Sequence, residues 1–146
     1  ITMMNEDEAK EHAQASTVLE AGEFLLSKGA AYAVVKQGEY GATLLGRDSA
    51  GNLQIFRCPA YPLKTLVDPT GAGDTFLGAL AGYLATLPPG LPSFEEVKRG
   101  IVYGTVAASF TCESFSADAL LSMTEETFRR RLEEYAEMCR LPGVSC

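Results

Sequence analysis

The stretch TLVDPTGAGDTFLGALAGYLATL, residues 65–87, decides the fold of this chain. Residues 65–67 predict the end of a buried strand, and the Asp-Pro-Thr sequence at 68–70 predicts a turn. Large apolar residues then recur at helical spacing, at Phe76, Leu80, Tyr83, Leu84 and Leu87. Strand, glycine turn and helix follow one another, so we expect an α/β fold.

Two glycines lie where the predicted helix begins. Gly71 and Gly73 allow the backbone to bend tightly and to approach a ligand without an obstructing Cβ. The first N–H groups of a helix have no intrahelical acceptor, and together they form an anion site. Asp74 places a carboxylate, rather than a cation, beside that site. A carboxylate is a poor choice if the site only holds phosphate, but it is a suitable base for the group that accepts a phosphoryl group.

The motif DPTGAGD at 68–74, with the alanine- and glycine-rich helix after it, resembles the signature of the ribokinase-like (PfkB) carbohydrate and nucleoside kinases. The resemblance implies the C-terminal part of a ribokinase-like α/β/α sandwich, with a central sheet and flanking helices. It also implies ATP- and Mg²⁺-dependent phosphorylation of an alcohol group on a sugar or nucleoside. Gly71, Ala72 and Gly73 then form an anion hole for the transferred group, and Asp74 takes the proton from the substrate hydroxyl.

Other interpretations of the glycine turn are weaker. An isolated Gly-x-Gly-Asp is more often an ordinary helix start with an acidic first turn, but here seven positions match in a strand-turn-helix context. Phe76 occupies the place of the third glycine in GxGxxG, which argues against a dinucleotide-dependent oxidoreductase. The sequence has no GxxxxGK[ST] motif either.

Asn5 and Glu8 have the spacing of a capping box, which stabilises a helix start and requires no function. The kinase family carries an Asn-x-x-Glu motif in the same order, upstream of the glycine turn. The resemblance therefore implies that Asn5 and Glu8 support Mg²⁺ and phosphate, largely through water. Mg²⁺ keeps several of its waters in proteins, so capping and metal support are compatible.

The resemblance also assigns residues to the nucleotide. The turn after a predicted strand at 31–36 is similar to the family's nucleotide-side loop, which implies that Lys36 and Gly38 approach the ATP phosphates together with Gly73. An ordinary glycine hairpin is the alternative. The alanine-rich segment that begins at Tyr103 resembles the helix bordering the adenine pocket, although small residues for helix packing are an equal explanation.

Asp68 has two interpretations that stay open. By resemblance it helps to bind a monovalent cation such as K⁺ beside the anion hole. Alternatively, it is an ordinary turn-forming Asp before proline. Pro69 departs from the commonest Asp-Thr pairing and removes a backbone donor.

The rest of the chain predicts further elements. Residues 1–4, 42–46 and 53–58 are predicted to form strands, and capped helices are predicted to start at three hydroxyl residues, Thr17, Ser93 and Thr124. Gly78 and Gly82 lie one turn apart in a predicted helix, and we expect them to pack closely against another backbone. His12 is placed in a polar linker at the surface, and the arginines at 129–131 on a solvated helix.

Composition limits the class of protein. The chain has 146 residues, 47% of them hydrophobic, and a formal net charge of −7, which argues against a nucleic-acid surface. No apolar run is long enough to span a membrane, so the expectation is a single cytoplasmic unit over residues 1–146. Four scattered cysteines and one histidine support neither a zinc site nor a redox motif.

Ile1 is not a usual translation start, so we expect a piece of a longer chain. Members of the resembling family carry most of their substrate-contacting segments upstream, which leaves the sugar or nucleoside undefined. The alternative function is a nucleotide-binding or assembly module without activity of its own. Exposed sheet edges then favour a homo-oligomer.

Overall fold

The computed structural model describes residues 1–115 and 118–140. The chain divides into two compact units, Ile1–Ala60 and Tyr61–Cys146, here called the N-terminal and C-terminal units. Within the described ranges, no helix has both the length and the apolar character needed to cross a membrane.

The N-terminal unit is a four-stranded sheet packed by two helices. Along the chain it contains β1 (Thr2–Asn5), α1 (Glu6–Ala13), α2 (Val18–Ser27), β2 (Tyr32–Lys36), β3 (Ala42–Arg47) and β4 (Leu53–Cys58). The strands lie side by side in this order, and only the β1–β2 pair is parallel. The strands predicted within residues 1–60 are therefore confirmed, and so is the mixed α/β class.

Helices α1 and α2 cover the sheet with apolar side chains. Leu25 and Leu26 pack with Ala33 and Leu45 in one buried cluster, while Ala9, Ala21 and Val35 form another. β2 is buried from Tyr32 to Val35, which explains its continuous apolar sequence. His12 lies within α1 rather than in a linker, since α1 continues to Ala13; its side chain is exposed, as predicted.

The C-terminal unit is helical among its described residues. It contains α3 (Ala72–Ala85), α4 (Phe94–Cys112), α5 (Asp118–Ser122) and α6 (Glu125–Met138). The short helix α5 was not predicted. From the sequence, the helix that starts at Thr124 is predicted to end at Pro142-Gly143; these two residues lie outside the described ranges, and α6 ends at Met138.

The strand predicted at 65–67 is wrong. These residues have no regular structure, and Leu66 is 63% exposed. The backbone hydrogen bond that a strand would use goes elsewhere, because the Val67 N–H donates to the Cys112 carbonyl at the end of α4, at 2.9 Å. A short segment of strand-favouring residues such as Thr-Leu-Val indicates a strand only where a neighbouring strand is available to pair with it.

The prediction that Gly78 and Gly82 pack closely is also wrong. Both glycines are exposed, and a Cβ at either would meet nothing within 4 Å. The close approach is made from the other helix: a Cβ on Gly100 would lie 2.5 Å from Leu80, and one on Gly104 would lie 2.9 Å from the Phe76 carbonyl oxygen. Leu80 and Phe76 are the buried residues of α3. The small residues that permit helix packing therefore belong to α4.

Four of the helices begin with the capping boxes that the sequence indicates, whereas α3 does not. Asn5, Thr17, Ser93 and Thr124 each accept a hydrogen bond from the third helical N–H and complete a capping box. In contrast, α3 begins after Gly71, which offers no side chain to its first turn. The first turn of α3 therefore has no side-chain cap.

Among the glycines of the N-terminal unit, Gly41 is expected to be the one whose substitution lowers stability most. Its φ is 93°, and a Cβ there would lie 2.0 Å from the Cys58 carbonyl oxygen. Gly41→Ala should lower the free energy of unfolding by more than the roughly 1–2 kcal/mol of a left-handed alanine alone. Gly29→Ala is the matched control, because its φ is 98° and nothing lies within 4 Å. Urea unfolding of both variants measures the difference, and equal losses would contradict the clash.

Candidate active site

The start of α3 combines a sharp backbone turn with free N–H groups. Gly71 has φ 81° and ψ −4°, a left-handed conformation that glycine adopts without strain. The Ala72 N–H donates to the Pro69 carbonyl at 3.1 Å, and the Thr75 N–H donates to the Gly71 carbonyl at 2.9 Å. Within the described part of the chain, the N–H groups of Gly73 and Asp74 have no such acceptor. Two adjacent donors at a helix N-terminus favour an anion.

Asp74 lies at the third position of α3, so its carboxylate is attached to the same turn as these donors. The residue is exposed, and no side-chain hydrogen bond or ion pair holds its carboxylate elsewhere in the described chain. A carboxylate in this position is available to accept a proton from a bound ligand.

The loop that carries this turn is held from both sides by the end of α4. Before the turn, the N–H groups of Val67 and Asp68 donate to the Cys112 carbonyl, at 2.9 and 3.4 Å. After the turn, the hydroxyls of Thr75 and Thr111 share a hydrogen bond of 2.9 Å. Two consecutive residues of α4 thus fix the whole segment from 67 to 75, here called the signature loop.

Asp68 forms a side-chain turn with Thr70, as its second interpretation predicts. Its Oδ1 accepts the Thr70 N–H at 2.9 Å. Hydrogen bonds from the backbone and side chain of Thr70 hold the pKa of Asp68 below its usual range. The Pro69 carbonyl, another oxygen of the turn, already accepts the Ala72 N–H. A monovalent-cation role for Asp68 stays a prediction.

The Asp68 carboxylate is expected to stabilise the loop only while it is ionised. Because its folded-state pKa lies below the unfolded value, its contribution is present above about pH 4 and is lost as the pH falls through the folded-state pKa. The stability difference between the wild type and Asp68→Ala should therefore shrink in acid. Asp68→Asn, which keeps an acceptor oxygen but does not titrate, is the control. A difference that stays constant from pH 7 to about pH 2.5 would contradict this account.

Asn5 and Glu8 form the predicted capping box. The Glu8 N–H donates to Asn5 Oδ1 at 2.8 Å, and the Asn5 N–H donates to Glu8 Oε2 at 3.0 Å. Both residues are exposed, and Glu8 retains its second carboxylate oxygen. An exposed carboxylate of this kind fits a contact to a hydrated divalent cation. No group of three or more Asp, Glu, His or Cys side chains able to hold a metal occurs in residues 1–115 and 118–140.

The sheet brings Asn5 and Lys36 together. They are paired in the register of the parallel strands β1 and β2, at the carboxyl end of each. This edge of a parallel pair is where α/β proteins place ligands. Gly38 follows in a single 3₁₀ turn (Gly38–Tyr40) with φ 55°, and a Cβ there would meet nothing within 4 Å.

Sequence reasoning missed Gln37, which lies between Lys36 and Gly38. Its side-chain amide donates to Glu6 at 3.0 Å, and its oxygen accepts the Thr43 hydroxyl at 2.8 Å. Hydrogen bonds from the side chains of Lys10, which has the larger effect, and Gln37 lower the pKa of the Glu6 carboxyl group. Gln37 therefore fixes the turn against α1 and β3. Only the contact between distant segments identifies this role.

Tyr103 lies in an aromatic cluster within the C-terminal unit. Its ring stacks on Tyr83 of α3, with centroids 5.0 Å apart, and lies 5.5 Å from Phe128 of α6. These contacts explain the residue through packing. An adenine contact at Tyr103 stays a prediction.

The predicted residues thus fall into two groups. Asp68, Gly71, Ala72, Gly73 and Asp74 share the signature loop of the C-terminal unit. Asn5, Glu8, Lys36 and Gly38 surround the carboxyl ends of β1 and β2 in the N-terminal unit.

Comparison with known proteins identifies the family. Residues 1–123 match the pfkB family carbohydrate kinase. The chain belongs to the pfkB family of carbohydrate kinases. This confirms the resemblance drawn from the signature motif.

Similar proteins come from several sources. A cytidine kinase of Thermococcus kodakarensis is 37% identical to this pfkB family chain over 103 residues, which are 69% of this chain and 34% of that protein. A ribokinase of Mus musculus is 36% identical over 96 residues, 66% of this chain and 28% of that protein. The crystal structure of a ribokinase from Thermotoga maritima has a TM-score of 0.67 at 26% identity, and covers 92% of this chain.

These comparisons also define the extent of the likeness. The pfkB family chain spans 34% and 28% of the two curated relatives and 41% of the ribokinase structure. An aminoimidazole riboside kinase from Salmonella enterica, with a TM-score of 0.70 at 24% identity, agrees in fold alone. The ribokinase-like α/β fold is confirmed over most of the chain.

Proposed function

We propose that this chain is the nucleotide-binding and catalytic half of a kinase that transfers phosphate from ATP to an alcohol group of a sugar or nucleoside. The observation that carries the proposal is the open start of α3, where a carboxylate and two free backbone N–H groups occupy one turn. Family membership adds the reaction class. Residues 1–146 would then act together as one functional unit.

Asp74 is the proposed general base. The substrate hydroxyl loses its proton to the Asp74 carboxylate as its oxygen forms a bond to the γ-phosphorus. The bond from that phosphorus to the bridging oxygen breaks, and ADP leaves. Charge that develops on the phosphoryl oxygens is met by the anion hole of Gly71, Ala72 and Gly73, with the free N–H groups of Gly73 and Asp74 as donors. Phosphoryl transfer depends on such positioning more than on covalent help.

The other residues are proposed to hold the nucleotide. Lys36 and Gly38 lie at the carboxyl end of β2 and would contact the ATP phosphates, while Tyr103 would border the adenine. Mg²⁺, when bound, neutralises phosphate charge, and Asn5 and Glu8 would hold it through water. A monovalent cation such as K⁺ is proposed at Asp68.

An assembly or nucleotide-binding module without activity of its own is the second candidate. The observation that favours it is that this chain spans only 28–41% of the length of the relatives compared above. Size-exclusion chromatography of the 146-residue chain separates the two ideas, since a clean monomer argues against an assembly role.

The test of the kinase is ADP release by the natural full-length protein with Mg-ATP, across a panel of sugars and nucleosides. Release that requires one acceptor supports the proposal and names the substrate. ATP binding without release for any acceptor would favour the binding module instead.

A further inference from the structure

Arg131 of α6 makes several polar and aromatic contacts within the C-terminal unit. Its guanidinium donates to Ser109 Oγ at 3.0 Å and to Glu113 Oε2 at 2.7 Å. It also lies over the Phe110 ring, 3.7 Å from the centroid, and 5.1 Å from the Tyr61 ring. Only 18% of its side chain is exposed. A planar guanidinium can donate to two acceptors and stack against an aromatic ring at the same time.

The two acceptors of Arg131 bracket the residues that hold the signature loop. Ser109 lies in the last turn of α4, and Glu113, four residues later, is the C-cap residue of that helix, so the two lie on the same side of its end. Between them, Thr111 bonds to the Thr75 hydroxyl, and the Cys112 carbonyl accepts the Val67 and Asp68 N–H groups. Arg131 thus clamps the short segment that fixes both ends of the loop.

We propose that Arg131 is a positioning residue for the anion hole, acting through the last turn of α4. The inference deepens the proposed function and rests on it. Ser109 supports the route, because its buried hydroxyl also donates to the Val106 carbonyl at 2.6 Å and so is held on two sides. Loss of the clamp frees the end of α4, and the donors at Gly73 and Asp74 lose their fixed position.

The test compares variants of the natural full-length protein. Arg131→Met should lower kcat about tenfold or more, with KM for ATP changed by less than about twofold, because misplacement of about 1 Å in a site costs large factors in turnover. Arg131→Lys keeps the charge but not the two-pronged contact, and should restore only part of the rate. Glu113→Ala should reproduce the loss from the other side of the clamp.

Two controls separate positioning from general stability. Arg130→Met removes a neighbouring arginine whose 4.0 Å pair with Glu134 is exposed, and should leave kcat unchanged. Val97→Ala opens a cavity at a fully buried position near the other end of α4, and should lower stability without lowering kcat. If Arg131→Met lowers stability but leaves kcat unchanged, as is expected for Val97→Ala, the proposal is overturned.

A second readout does not depend on turnover. Amide hydrogen exchange in residues 67–75 should accelerate in Arg131→Met and in Glu113→Ala, but not in Arg130→Met. If the wild type releases no ADP with any acceptor, the proposed function fails, and exchange alone decides whether the clamp exists. Unchanged exchange in both clamp variants would overturn the clamp. Should Arg131→Met fail to fold, Glu113→Ala and Arg131→Lys decide the outcome.

Discussion

Asp74→Asn is expected to lower turnover at saturating substrates by about two or more orders of magnitude, which is the size of a typical general acid–base contribution. Asparagine has nearly the same shape and leaves the backbone N–H groups of positions 73 and 74 in place, but it does not accept the hydroxyl proton. Because Asp74 is exposed and its side chain is not used to cap α3, the fold should be unaffected.

The measurement is kcat from ADP release, with ATP affinity by calorimetry and thermal unfolding on the same samples. We expect unchanged affinity and unchanged unfolding temperature. Asp7→Asn is a matched control, since Asp7 also lies in the first turn of a helix but outside the signature loop. Full turnover in Asp74→Asn would remove Asp74 from the mechanism.

Gly104→Val is expected to cost on the order of 3 kcal/mol of unfolding free energy, the upper end of the range for overpacking. A Cβ at this position would lie 2.9 Å from the Phe76 carbonyl oxygen and 3.0–3.1 Å from the Phe76 ring. A backbone carbonyl moves less readily than the end of a flexible side chain, so α3 must shift away from α4. The same shift would displace Thr75 from Thr111, and turnover should fall as well.

Gly78→Val provides the matched control for this prediction. It makes the same substitution in the facing helix, at an exposed position where a Cβ meets nothing within 4 Å. Its effect should stay within about 0.5 kcal/mol, as for other surface substitutions. Urea unfolding of the 146-residue chain measures both variants. Equal losses would show that α3 and α4 do not pack as described.

Local hydrogen-bond patterns were the part of the structure that the sequence predicted best. The capping boxes that begin with Asn5, Thr17 and Ser93 each join residues three positions apart, so their geometry is contained in a short segment. The glycine turn at Gly71 was predicted for the same reason, because its left-handed conformation belongs to one residue.

Features that depend on distant segments were predicted poorly. The Thr-Leu-Val segment at 65–67 looked like a strand, but the Val67 N–H donates to the carbonyl of Cys112, some 45 residues later. The spacing of Gly78 and Gly82 indicated close packing without showing which helix supplies the small residues. Arg131 was predicted to lie on a solvated helix with Arg129 and Arg130, whereas its partners Ser109 and Glu113 lie in another part of the chain, at the end of α4.

The most direct test of the central claim is analysis of the product made from Mg-ATP by the natural full-length protein, with wild type and Asp74→Asn compared side by side. Mass spectrometry should show one phosphoryl group added to a hydroxyl of a single sugar or nucleoside in the wild type, and almost none in the variant. Equal product from both proteins would contradict the account, because the carboxylate at the start of α3 would then have no part in the transfer.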